Sequence, residues 1–219
     1  MDSLIKICGL STPETLDVAL GAGADMVGFV RFPKSPRHVS LDLGHRLSLQ
    51  AKGRAQRVVL LVNPGDEDIA QAVEAINPDL IQLHGSETPE RVAEIRSIFK
   101  RPVMKALGIA EPSDLRALTP YADADHILLD AKPPRTAGAL AGGNGVSFDW
   151  RLLNGLDRKV SFMLSGGLNP DNVAEAIRLT KTQAVDVSSG VESGPGLKDP
   201  ARIEAFIRAA RTAFAAAHH

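Results

Sequence analysis

Short apolar runs alternate with amphipathic stretches along the whole chain of 219 residues. The runs lie at 4–8, 25–30, 57–62, 79–83, 102–106, 125–130, 160–164 and 184–188. Each is short and bounded by polar or turn-forming residues, which predicts strands. Between them, apolar residues return at helical spacing over 13–21, 41–51, 67–76, 89–99, 112–118, 148–154 and 170–179, and again over 200–216. Thr12-Pro13, Thr88-Pro89 and Asn169-Pro170 put a capping side chain ahead of a proline at the first helical position, and Glu111-Pro112 is a weaker version. Eight strand–helix units in sequence imply parallel strands joined by crossover helices. In a chain of this length they fit a compact α/β fold, a single (β/α)8 TIM barrel of eight parallel strands with outer helices. An open doubly wound sheet is the alternative, but no strand leads into the Gly-x-Gly-x-x-Gly turn that a dinucleotide needs. No linker divides the chain, so one domain over 1–217 is expected. His218-His219 reads as a tag remnant.

The first run carries a second signal. In Leu4-Ile5-Lys6-Ile7-Cys8, alternation puts Ile5 and Ile7 on one face and Lys6 and Cys8 on the other. Cys8 is the only cysteine. Alone it reads as buried filling, because free cysteines are among the most buried residues. As the first strand of a closed barrel, its polar face would look inward instead.

Composition narrows the setting. The chain is 44% hydrophobic and 23% charged with a formal charge of −1, which offers no electrostatic footprint for nucleic acid or an anionic membrane surface. One cysteine makes no internal disulfide, so a reducing, cytoplasmic setting is expected. The start of the chain lacks the pattern of a secretory signal, and no apolar run approaches the length of a membrane span.

In such barrels the chemistry gathers at the C-terminal ends of the strands. Those ends here are Cys8-Gly9, the stretch 29–37, Asn63, His84-Gly85, Lys105, Asp130, Ser165-Gly166-Gly167 and Ser188-Ser189-Gly190. The last two offer anion cradles. Glycines let backbone N–H groups approach an anion, and this fold binds phosphate after strands seven and eight. Gly166, Gly167, Ser189 and Gly190 are therefore candidate phosphate-binding residues, with ligand-free tight turns as the plain alternative. Asp130 shares a face with His126 and Leu128, so it should point to the barrel mouth, although a cap or a loop ion pair would also use an aspartate. Strands six, seven, eight and one are consecutive in a closed ring, so the cradles would lie between Asp130 and Cys8. Arg37 is either a solvated loop residue or a fork for a substrate carboxylate. His84 could ligate a metal, but no Asp, Glu or His set accompanies it, so a positioning role is favoured and no metal is expected. The loop over 132–147, rich in Pro and Gly, reads as a lid.

Several blocks stand in one order: KICGL, GADMVGF, KSPR, LLVN, DLIQLHG, ILLDAK, GGNG with FDW, LSGGLNPDNV, VDVSSGVE and GLKD. Together they make the chain resemble the phosphoribosylanthranilate isomerases of tryptophan biosynthesis over essentially its full length. Three positions depart from that pattern: Ser11 and Asn144 where the family usually has Thr, and Arg31 where it favours an aromatic. The resemblance implies an Amadori rearrangement of N-(5-phosphoribosyl)anthranilate to 1-(2-carboxyphenylamino)-1-deoxyribulose 5-phosphate. It implies Cys8 as general base and Asp130 as general acid, with no cofactor and with other tryptophan-pathway enzymes as candidate partners. Arg37, Lys6 and His84 are the expected substrate-binding residues. A thiol base needs a nearby cation, because a free thiol is mostly protonated at neutral pH. Lys6 and Arg37 are the two candidates, and the sequence does not choose between them. The acid must hold a proton near neutral pH. The nearest rival is the related phosphoribosyl isomerase of histidine biosynthesis, which resembles a double phosphate binder with aspartates at both catalytic positions. A non-catalytic phosphosugar-binding barrel and a metal-dependent epimerase are the others.

Overall fold

The computed structural model describes residues 3–121, 124–132, 142, 143, 145, 147–156 and 160–217. Eight parallel strands close into a barrel in sequence order: β1 (Leu4–Cys8), β2 (Met26–Val30), β3 (Gln56–Leu61), β4 (Leu80–Leu83), β5 (Val103–Ile109), β6 (His126–Ala131), β7 (Met163–Leu164) and β8 (Ala184–Val187). The ring closes where Lys6 stands beside Asp186 and Ile7 beside Val187. The outer layer holds α1 (Pro13–Gly21), α2 (Leu41–Ala51), α3 (Asp66–Ile76), α4 (Pro89–Phe99), α5 (Val173–Thr180) and α6 (Pro200–Ala217). Among the described residues, no helix is long and apolar enough to cross a membrane.

The alternation in each strand separates two cores. Outward side chains such as Ile5, Ile7, Val27, Phe29, Val59 and Ile81 pack under the helices in the larger one. Inward, Met26, Val58, Leu80, Met104, Leu128 and Met163 fill the lower barrel with apolar volume. Strands buried on both faces explain why the sequence shows short continuous apolar runs. Two residues further along the strands, the inward layer turns polar. Lys6, Gln82, Ser165 and Asp186 are all buried there.

The helix starts follow local chemistry. Thr12, Ser40 and Thr88 each accept a hydrogen bond from the backbone N–H three residues on, capping α1, α2 and α4. Three expectations need correction. The stretches 112–118 and 148–154 form 3-10 helices, Pro112–Tyr121 and Trp150–Gly155, not α-helices. The first has Pro120 inside it, and proline cannot supply the N–H of an α-helical ladder. α5 begins at Val173, not at Pro170, because Asn169 and Asn172 fold the intervening residues into a side-chain-bonded turn. β7 covers only 163–164 of the expected 160–164.

One element was not anticipated. A short antiparallel hairpin, β9 (Glu192–Gly194) and β10 (Leu197–Lys198), follows the 3-10 turn Ser189–Val191 after β8. Of the expected lid over 132–147, only Lys132, Gly142, Gly143, Gly145 and Ser147 are described. The rest of that stretch, with Asn144, lies outside the described residues, as do His218 and His219.

Candidate active site

A single cavity at the C-terminal mouth is lined by Cys8 from β1, Arg37 after β2, His84 after β4, Asp130 from β6, and the loops after β7 and β8. Cys8 is 3% exposed and Asp130 7%. Val30, Phe32, Leu60 and Val62 form an apolar wall between Cys8 and His84.

Cys8 sits in a charged nest. Lys6 lies directly beneath it, fully buried, with Nζ 2.7 Å from Asp186 Oδ1. Ser165 Oγ donates to the other Asp186 oxygen at 3.0 Å. Opposite Cys8 in the register stands Gly28, where a β-carbon would lie 2.9 Å from the Cys8 sulfur and 3.3 Å from Lys6 Nζ. Only a residue without a side chain leaves the thiol and the ammonium their room. Burial pushes the Cys8 thiol up; Lys6 and Lys198 pull it down, Asp186 adds to the rise, and the balance stays above the ordinary value. Burial works to lower Lys6, but Asp186 and Cys8 outweigh it and hold the ammonium above its ordinary value. Lys6 does not line the cavity. Its ammonium faces Asp186 from beneath the thiol.

Arg37 reaches the cavity, but its fork is largely engaged. Nε donates to Glu192 Oε1 at 2.7 Å and Nη2 to Glu192 Oε2 at 2.8 Å. Nη2 also reaches the carbonyl of Gly143 at 3.3 Å. Nη1 is the remaining edge. Lys198 Nζ binds Glu192 Oε1 at 2.6 Å and the Ser188 carbonyl at 2.9 Å. Burial works to raise the Glu192 carboxyl, yet Arg37 and Lys198 hold it low. Burial also depresses Lys198, against the pull of Glu192. The second cation acting on Cys8 is thus Lys198, not Arg37. The sequence hid it, because Lys198 lies in the unforeseen hairpin.

Among the described residues no lysine pairs with Asp130; Lys132 lines the cavity, but its ammonium pairs with Asp114. Asp130 Oδ1 accepts from the Ala131 N–H at 2.8 Å, and Oδ2 stands 3.0 Å from His84 Nε2. The other ring nitrogen of His84 is 3.1 Å from Gln82 Nε2. Among the described residues, no group of three or more His, Cys, Asp or Glu side chains is arranged to hold a metal.

Gly166 and Gly167 turn the chain after β7 with φ of +86° and +67°, a region that only glycine enters freely. The loop after β8 rests on this turn: a β-carbon at Gly190 would fall on the Leu168 carbonyl oxygen. The N–H groups of Gly167, Ser189 and Gly190 find no acceptor among the described residues. Gly166, Gly167 and Ser189 line the cavity, and Gly190 lies behind them against Leu168.

The family model for N-(5'-phosphoribosyl)anthranilate isomerase matches residues 5–209. The chain belongs to that family. It is therefore an isomerase, of the tryptophan-biosynthetic kind that the motifs resemble. Curated relatives of the same name include one from Rhodopseudomonas palustris (strain BisB5), 56% identical over 96% of this chain and 97% of its own. Another, from Azorhizobium caulinodans, is 57% identical over 97% of this chain and 93% of its own. Among solved structures, the phosphoribosyl anthranilate isomerase of Thermotoga maritima superposes with a TM-score of 0.86 at 38% identity, over 96% of this chain and 99% of that one. A phosphoribosyl anthranilate isomerase in complex with reduced 1-(o-carboxyphenylamino)-1-deoxyribulose 5-phosphate has a TM-score of 0.84 at 36% identity, over the same shares.

Proposed function

We propose that the protein converts N-(5'-phosphoribosyl)anthranilate into 1-(2-carboxyphenylamino)-1-deoxyribulose 5-phosphate by an Amadori rearrangement, in the cytoplasm, as a step of L-tryptophan biosynthesis. Cys8 is the general base and Asp130 the general acid. The observation that carries this reading is that a buried thiol and a buried carboxyl line one cavity, on either side of loops whose N–H groups find no acceptor among the described residues.

The substrate has three recognisable parts, and the cavity offers something to each. The phosphate suits the N–H groups of Gly166, Gly167 and Ser189 after β7 and β8. The aromatic ring suits the wall of Val30, Phe32, Leu60 and Val62. Its carboxylate meets the Nη1 edge of Arg37, which has no acceptor among the described residues, end-on, because Glu192 holds the other edge.

Asp130 protonates the furanose oxygen as the C1–O bond breaks, and the electron pair of that bond stays on oxygen. The anthranilate nitrogen supplies its lone pair to C1, which gives a Schiff base and acidifies the proton on C2. Cys8, as thiolate, removes that proton. The resulting enolamine then gains a proton at C1 and loses one from the C2 hydroxyl, so substrate and product have the same composition. His84 holds the Asp130 carboxyl in place. The substrate's own nitrogen is the electron sink, so the reaction requires no cofactor.

Anthranilate-type fluorescence tests the reading when substrate is generated in place from phosphoribosyl pyrophosphate and anthranilate. The wild-type chain should extinguish it and Cys8→Ser should not. Near-wild-type turnover by Cys8→Ser would sink the base assignment. For the loops, an anion should appear between Gly167 and Ser189 in crystals soaked with inorganic phosphate, and an empty cradle would count against them.

A further inference from the structure

The hairpin β9–β10 packs on the loop that carries Arg37. Its turn residue Gly196 has a φ of +79°, and a β-carbon there would lie 2.5 Å from the Pro36 carbonyl oxygen. Glu192, at the base of the hairpin, is buried, and protein donors occupy both its oxygens. Oε1 accepts from Arg37 Nε at 2.7 Å and from Lys198 Nζ at 2.6 Å. Oε2 accepts from Arg37 Nη2 at 2.8 Å and from the Gly196 N–H at 3.1 Å. Arg202 Nη1 of α6 donates to the Glu192 carbonyl at 2.8 Å, which ties the base of the hairpin to the outer layer. On the far side of Arg37, a β-carbon at Gly9 would lie 2.6 Å from Cδ, so the arginine stem runs directly over the turn after Cys8. Two parallel bonds along the Nε–Nη2 edge fix the plane of a guanidinium as well as its position. Nη1, the edge left over, has no acceptor among the described residues, and Arg37 lines the cavity.

We propose that Glu192 is a positioning residue for substrate selection: it holds the Arg37 guanidinium so that Nη1 meets the aryl carboxylate, and the hairpin thereby sets the preference of the site for a carboxylated N-aryl group. This rests on the reading of Arg37 as the partner of the substrate carboxylate. Glu192 acts through Arg37, because an ionised carboxylate has no donor to offer an anion. A guanidinium fixed before the ligand arrives gives up little further freedom on binding. Without Glu192, the guanidinium of Arg37 and the ammonium of Lys198 would face each other in a buried setting with no anion between them, and the fork would leave its place.

The test is calorimetry with two ligands, reduced 1-(o-carboxyphenylamino)-1-deoxyribulose 5-phosphate and the same molecule without its carboxyl group. The ratio of their Kd values reads what the carboxylate contributes. Glu192→Gln keeps the size of the side chain but offers one acceptor oxygen in place of two. It should cut the ratio by about tenfold, the lower end of what a charge-assisted hydrogen bond contributes, while the ligand without the carboxyl keeps its Kd. An unchanged or larger ratio would overturn the proposal; equal weakening of both ligands, the mark of a merely structural tie, is one form of that result. Arg37→Ala keeps the two failures apart. It should bring the ratio close to one, and a wild-type ratio there would sink the reading of Arg37 itself. Should Glu192→Gln not fold, nitrogen-15 NMR of the wild-type chain with labelled arginine decides, with Arg37→Lys identifying the Arg37 signals. On addition of the carboxylated ligand the Nη1 signal should move and the Nε–H signal should hold. An Nε signal that moves as far as that of Nη1 would mean that the ligand displaces Glu192, against the proposal.

Discussion

The two sides of the barrel mouth solve the same problem with different materials. The Cys8 side is built from full charges: Lys6 and Asp186 below, Lys198, Glu192 and Arg37 beside. The Asp130 side is a chain of an amide, an imidazole and one carboxyl. The difference follows the chemistry proposed for each. A thiol must lose its proton to act, so it needs cations to offset the burial that works against ionisation. An acid must keep its proton, and a lysine beside it would draw the proton off. A neutral hydrogen-bond chain can orient a carboxyl without that penalty.

The largest test of this contrast removes each group in turn. Cys8→Ser and Asp130→Asn should each lower kcat by about 10²–10⁴-fold, the span of one general acid–base contribution. Both should still bind the reduced product analogue, measured by calorimetry; loss of binding in either would make that residue a ligand holder instead. Next comes the charged nest itself. Among the described residues, Lys6→Met leaves Asp186 buried with Ser165 as its one side-chain partner, and breaking a buried pair costs about 3–5 kcal/mol. Urea denaturation should register that drop. Gln82→Met, on the neutral side, should cost far less stability, and equal losses would erase the distinction between the sides.

Arg37→Ala should act on KM more than on kcat, by about 10- to 100-fold for a charge-assisted hydrogen bond worth about 1.5–3 kcal/mol. Unchanged steady-state kinetics would remove Arg37 from the site. The smallest effect concerns pH. Because the balance on Cys8 lies above the ordinary thiol value, kcat/KM should keep rising with pH beyond about 8.5, the unperturbed figure. Lys198→Met removes a cation that lowers the thiol, so this limb should move further to the alkaline side. A limb that stays put, or moves toward neutral pH, would mean that Lys198 does not act on Cys8.

Much of this was readable from periodicity and strand ends. The inward alternation of Lys6 and Cys8, the inward Asp130 and the Gly-rich turns after β7 and β8 follow from a period of two and a closed ring. What escaped depends on contacts distant in sequence. Glu192 and Lys198 act on Arg37 and Cys8 through a hairpin whose sequence, Glu192-Ser193-Gly194-Pro195-Gly196-Leu197-Lys198, is too short and too polar to announce strands. Gln82 was hidden in an apolar run, where one amide looks incidental until the barrel's inner layer is known. Lys6 was readable as a neighbour of Cys8, but the sequence does not show that Asp186 lies alongside. Arg31 found a local use: its Nη1 donates to the Val39 carbonyl at 2.7 Å, tying down the start of the loop that carries Arg37.

The pairing of Lys6 with Asp186 spans 180 residues of chain. During synthesis, Lys6 and Cys8 leave the ribosome well before Asp186, Glu192 and Lys198. Until β8 closes against β1, the thiol is an open side chain that titrates near the free value of about 8.5. Closure removes it from solvent and raises that value, so the nascent chain carries a more readily ionised cysteine than the finished barrel does. A chain cut short before the hairpin would keep its nucleophile and lack its electrostatic surroundings, so catalytic competence waits for the segment that carries Asp186 and Lys198.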